Sequence, residues 1–131
     1  NNLTLRNVRI SGFKQHKVNG LFSSSNMSGT LLLENVELAD NGGNNGPEHN
    51  AYVNGSKSDP NFTFVFRGSW SHGAYYGHAL KSRAQQTVVE GSYLAGSTAE
   101  PGSRTETYLL DASDTTLSQA LAFLKENCVV V

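Results

Sequence analysis

The chain has 131 residues, of which 37% are hydrophobic and 16% charged, with a formal net charge of −1. This length fits one domain with a modest core. The charge balance argues against a nucleic-acid partner, which needs a basic surface, and no run approaches the roughly 18 apolar residues required to span a membrane.

The 13 Gly and 13 Asn residues, with many Ser and Thr, suit short strands separated by turns. Near-neutral charge and patterned apolar runs separate this composition from a disordered one. Cys128 is the single cysteine, which excludes an internal disulfide and a Cys-based zinc site and reads as a small apolar residue near the end. Sequons occur at Asn2, Asn26, Asn54 and Asn61, and chance accounts for most of them in so Asn- and Ser-rich a chain. No signal peptide is visible. The opening Asn1-Asn2-Leu3-Thr4-Leu5 enters a strand at once, as a mature or truncated chain would.

The first predicted strand is Leu3-Thr4-Leu5-Arg6-Asn7-Val8-Arg9-Ile10. After a solvated loop carrying Lys14, His16 and Lys17 comes a short strand, Gly20-Leu21-Phe22-Ser23. Next, Leu31-Leu32-Leu33-Glu34-Asn35-Val36-Glu37-Leu38 repeats the first strand at an offset of 28, and Asn50-Ala51-Tyr52-Val53 repeats the second. Between them lies the longest loop, Asp40-Asn41-Gly42-Gly43-Asn44-Asn45-Gly46-Pro47. Phe64-Val65-Phe66-Arg67-Gly68-Ser69-Trp70 then sets Arg67-Gly68 where Glu34-Asn35 stood, an offset of 33, and Val88-Val89-Glu90-Gly91-Ser92-Tyr93 follows with an offset of 23. His78-Ala79-Leu80-Lys81 and Thr107-Tyr108-Leu109-Leu110 continue the shorter series.

Two interleaved strand series with one period point to a solenoid, in which each coil buries its apolar face only by stacking on the next. The fold class expected is all-β: a parallel β-helix of about four coils over residues 1–113. Asn7 and Asn35 are expected to stack as an amide ladder at a tight corner, with Gly68 and Gly91 at the same corner. The rival is an antiparallel β-sandwich, which has regular strand spacing but does not require the same residues to recur. Residues 114–131 form a C-terminal cap and tail. Leu117, Ala120, Leu121 and Leu124 give residues 115–127 the apolar stripe of a short α-helix, capped by Ser113 or Asp114. Val129-Val130-Val131 is expected to add an edge strand.

The polar residues on this repeat carry the candidate chemistry. An offset of 29 stacks His49 on His78 and Tyr52 on Lys81, and the next step brings Lys81 near Leu110 or Asp111. The candidate catalytic residues are Lys81, Arg83 and His78. Those for substrate binding are Tyr75, Tyr76, His72, His49, Glu48, Tyr52 and Asp111. A groove lined by Tyr75, Tyr76, Lys81 and Arg83 would mark a site. Bland readings stand beside these. Alternation turns Lys81 and Arg83 outward, as a solvated face or in salt bridges with Glu90 or Asp111, and turns His78 inward as a buried, hydrogen-bonded histidine. Trp70 is expected to cap a core layer rather than stack on sugar. Glu48 and His49 also fit plain turn positions.

The block Glu48-His49-Asn50-Ala51-Tyr52-Val53, Gly68-Ser69-Trp70-Ser71-His72-Gly73-Ala74 and Gly77-His78-Ala79-Leu80-Lys81-Ser82-Arg83-Ala84 resembles bacterial right-handed parallel β-helix repeat proteins of the pectin-lyase-like superfamily. It covers residues 48–84, with a weaker repeat likeness over 3–112. The resemblance implies a right-handed helix and, for function, polysaccharide lyases, hydrolases, epimerases, tailspikes and adhesins, mostly outside the cytoplasm. A secreted, periplasmic or cell-surface module that binds an acidic polysaccharide is therefore expected. Whether it also cuts the polymer stays open. A lyase or epimerase needs cations on a uronate carboxylate and a base for the adjacent proton, which Lys81, Arg83 and His78 supply in kind. A hydrolase needs facing carboxylates, and candidates are few: Glu48, Glu90, Glu106 and Asp111. No cofactor is expected beyond calcium as a weak candidate, since the Asp40 loop offers it only one clear carboxylate. The alternative function is structural: a fibre, tailspike or adhesin segment that self-associates through its coil ends.

Overall fold

The computed structural model describes residues 2–14, 16, 18–43, 48–55, 61–95, 108–110 and 129–130. Among them the chain is all-β, with eleven strands and no helix. In order these are β1 (Asn2–Ser11), β2 (Leu21–Phe22), β3 (Thr30–Ala39), β4 (Ala51–Val53), β5 (Thr63–Arg67), β6 (Trp70–His72), β7 (Leu80–Ser82), β8 (Gln86–Glu90), β9 (Tyr93–Leu94), β10 (Tyr108–Leu110) and β11 (Val129–Val130).

They form two sheets. In the first, β1 pairs with β3, β3 with both β5 and β6, these with β8 and β9, and β11 lies beside β9; the second runs β2-β4-β7-β10. Among the described residues every pairing is parallel. The antiparallel sandwich is therefore set aside. Along the chain, long or split strands of the first sheet alternate with short strands of the second. The registers are those of the sequence repeat: Leu3 beside Leu31, Glu34 beside Arg67, Arg67 beside Glu90, and Tyr52 beside Lys81. One expectation shifts by a residue, because Lys81 stands beside Leu109 rather than Leu110. Val129–Val130 adds a strand to the first sheet as expected. The expected helix over 115–127 lies outside the described residues.

The long strands bend in the middle. Asn7 and Asn35 adopt φ of 57° and 52°, and Gly68 and Gly91 take the equivalent places at 52° and 55°. Only Gly and Asn enter this left-handed region readily. The Asn35 amide donates to Asn7 Oδ1 at 2.6 Å, which is the expected ladder. Behind the bend, the Ser69 and Ser92 hydroxyls accept the N–H groups of Val36 and Ser69 at 3.0 and 3.1 Å. They replace the ladder bonds that the bend interrupts.

Inside, alternate residues of both sheets meet in one core: Leu31, Leu33, Phe64, Phe66 and Val89 before the bend, Val36, Leu38 and Leu94 after it, and Ala51, Val53 and Leu80 from the second sheet. Leu5, Val8 and Ile10 of β1 are only partly buried, because β1 has a neighbour on one side among the described residues. Outside, Arg6, Glu34, Arg67 and Glu90 share one register row and pair in succession, alternating in sign. Glu90, and then Glu34, hold the exposed Arg67 guanidinium above its usual range. No described helix is long and apolar enough to cross a membrane.

Candidate functional site

The second sheet is short-stranded and strictly alternating. Ala51, Val53, Leu80 and Ser82 point inward and are at most 1% exposed. Parity then turns Phe22, Tyr52 and Lys81 outward, and parallel register sets them in one row. Phe22 meets the Tyr52 ring edge-on at 5.5 Å. Lys81 Nζ lies 4.7 Å from the Tyr52 ring centre and Arg83 Cζ lies 5.6 Å from it. Both cations thus lie against the Tyr52 ring and are attracted by its quadrupole. The backbone of Arg83 is fixed by its N–H bond to Val53 O at 2.8 Å and by close approach to Gly55, where a Cβ would stand 1.8 Å from the Arg83 carbonyl oxygen.

Beneath this row lies a second ladder, made of the residues that precede each strand. Asn19 Oδ1 accepts the His49 N–H at 2.7 Å, and His49 Nδ1 accepts the His78 N–H at 2.9 Å. The acceptor role leaves His49 Nδ1 unprotonated and assigns its ring proton to Nε2. His78 Nδ1, 3.2 Å from the same nitrogen, is then the donor of that pair. The two rings lie 4.9 Å apart, and His49 meets the Tyr52 ring at 5.7 Å, nearly perpendicular. At 1% and 2% exposure, His49 and His78 sit behind the surface that Tyr52, Lys81 and Arg83 present. The buried carboxylate oxygen Oε2 of Glu48 has no hydrogen-bond partner among the described residues.

The remaining candidates go elsewhere. His72 lies on the outer face of the first sheet, 3.0 Å from Glu37 Oε1 and stacked on Trp70 at 3.9 Å. Tyr75 and Tyr76 occupy the corner after β6. They meet edge-on at 4.7 Å, with Lys14 Nζ 4.6 Å from the Tyr75 ring centre, and the Tyr75 N–H donates to Asn41 O. Asp111 lies outside the described residues. Trp70 does not cap the core: it is 44% exposed, because the bend leaves Ser69 and Ser71 inward and Trp70 outward, in register with Arg9, Glu37 and Tyr93. Sequence reasoning passed over Phe22 and Asn19, although both stand one repeat before residues it singled out, Tyr52 and His49.

Among the described residues no group of three or more His, Cys, Asp or Glu is placed to hold a metal ion. Comparison with protein-family models, curated proteins and solved structures finds no match.

Proposed function

We propose that this chain is a right-handed parallel β-helix of about four coils, of the pectin-lyase-like kind, acting outside the cytoplasm as a module that binds an acidic polysaccharide along the outer face of its second sheet. The observation that carries the reading is the pair of cations, Lys81 and Arg83, gathered on the ring of Tyr52. An aromatic platform rimmed by positive charge complements a uronate, whose ring has an apolar C–H face and a carboxylate at its edge. Phe22, 60% exposed one strand away, extends the platform along the stacking direction. If the module also acts on its ligand, β-elimination or epimerisation fits better than hydrolysis: Arg83 would neutralise the carboxylate, and Lys81 in its neutral form would take the proton from the neighbouring C–H, the electron pair then expelling the glycosidic oxygen or regaining a proton on the opposite face. His49 and His78 would serve this face by supporting Tyr52 from behind.

A structural segment is the second reading. It is favoured by the rows of paired charges and amides along the outer face of the first sheet at and before the bend. The two readings separate in a screen of pectate, alginate and hyaluronan that follows binding and the absorbance of unsaturated products. Binding to one polymer, weakened about tenfold by either Lys81→Ala or Arg83→Ala and screened by salt, is expected. No binding to any of them, with both variants folded, would leave the structural reading.

A further inference from the structure

The bend in the first sheet makes a hollow that the proposed acidic-polysaccharide face does not use. It is an open depression of about 350 Å³, lined by Asn7, Arg9, Asn35, Glu37, Gly68 and Trp70 together with Val8 and Val36. That volume is in the range of sites for small ligands. Its shape follows from the sequence of the bend. Asn7 and Asn35 fill the corner in the first two rounds, whereas Gly68 leaves it empty in the third, beside Trp70.

We propose that this hollow is a separate binding site for an uncharged sugar chain. Three observations define the ligand. First, a large aromatic surface stays open: Trp70 is 44% exposed and Tyr93, 6.0 Å from it in the next round, is 38% exposed. Trp70 is also held in place, stacked at 24° on His72, which Glu37 binds in turn. A fixed, exposed indole offers the C–H face of a pyranose a flat surface at low entropic cost. Second, the ladder bond uses one N–H of Asn35 and one acceptor position of Asn7. Among the described residues the Asn7 amide N–H groups and the Asn35 carbonyl oxygen make no further hydrogen bond. A planar amide pairs readily with hydroxyl groups, as donor and as acceptor. Third, the charges compensate one another. Arg9 Nε lies 3.1 Å from Glu37 Oε2, and Glu37 Oε1 also holds His72. The hollow therefore has no excess of positive charge for a uronate.

Parallel strands stand about 4.8 Å apart, a distance comparable with the length of one sugar ring. A linear glycan laid across the strands would set successive rings along the row Glu37, Trp70 and Tyr93, with the Asn7 and Asn35 amides two residues to one side.

Trp70 is the only tryptophan of the chain, so its emission reports on this hollow alone. The test is a fluorescence titration of the intact chain with short oligosaccharides from cellulose, xylan and mannan, and with pectate oligomers for comparison, at low and high salt. A saturable blue shift with an uncharged oligosaccharide is expected, insensitive to salt and unchanged in Lys81→Ala and Arg83→Ala. Gly68→Asn supplies the decisive variant. Its φ of 52° suits Asn, and an added Cβ there would meet nothing within 4 Å, so the fold should persist while the side chain extends the Asn ladder into the hollow. Its thermal midpoint should be unchanged or higher, and its affinity at least about tenfold lower. Each of these results would overturn the proposal: no spectral change with any uncharged glycan, full affinity in a folded Gly68→Asn, or a shift that depends on protein concentration alone, which would mark the hollow as a contact between copies. Loss of the uncharged ligand in Lys81→Ala or Arg83→Ala would also overturn it, by reducing two sites to one. Failure of the acidic-polysaccharide screen leaves it standing, because the two tests read different residues.

Discussion

Asn50 shows how a single polar side chain joins the two sheets. It is fully buried, and its amide nitrogen donates within 3.2 Å to Leu38 O, Ser71 Oγ and His72 O, while its Oδ1 accepts the N–H of Asn41 at 3.1 Å. Buried polar groups cost little when bonded and a great deal when orphaned. Asn50→Ala strands several of them at once. A loss of about 3 kcal/mol in urea unfolding is expected, with the surface around Lys81 and Arg83 left in place. A change well under ~1 kcal/mol would mean that water replaces the amide at no cost. Asn41, nine residues earlier, uses the same device, with its Nδ2 donating to Ile10 O at 3.1 Å. Neither role is visible in composition, since both residues lie among loop-like stretches rich in Asn and Gly. Only their burial separates them from solvated turn residues.

Strands are too short here to be stable alone, and each is held by its neighbours. β3 is paired on both sides, by β1 and by β5 with β6, whereas β1 is paired on one side among the described residues. The matched residues Leu5 and Leu33 therefore differ in burial although they are identical in type and register. Leu33→Ala should cost about 3 kcal/mol and Leu5→Ala about half as much, in denaturant melts of the two variants. Equal losses would show that β1 is covered as fully as β3 in solution. On the opposite face, the row Arg6, Glu34, Arg67 and Glu90 is exposed, and such pairs contribute modestly and weaken with salt. That row does more to fix which residue stands beside which than to add stability, since a slip of one residue would set every charge beside the wrong partner.

At the scale of the molecule, pairing is non-local throughout. Partners in the first sheet stand 28, 33, 23 or 36 residues apart, and no described helix or hairpin offers a local start. Loop closure must precede most of the stabilising contact, which slows folding. Stopped-flow refolding should take from about milliseconds to seconds. Completion well below a millisecond would point to a local nucleus that the strand pairing does not reveal. The same parallel pairing lays out the surface as rows, one side chain per strand. The two proposed sites are two such rows, one on each sheet.

Stacking was legible in the sequence because it is a relation along one axis. Residues one repeat apart in parallel register are neighbours, so simple offsets paired Leu3 with Leu31, Arg67 with Glu90, His49 with His78 and Tyr52 with Lys81. Asn7 and Asn35 were legible as corner residues because few side chains tolerate positive φ. What lies side by side around the circumference was decided only by the tertiary structure. The left-handed residue in the middle of each long strand resets the inward–outward alternation, which turned Trp70 and His72 onto the outer face and away from Lys81 and Arg83. A repeat fixes the period of such a chain. The angle at each bend, and hence which rows face a common groove, depends on backbone torsions and core packing that spacing does not encode.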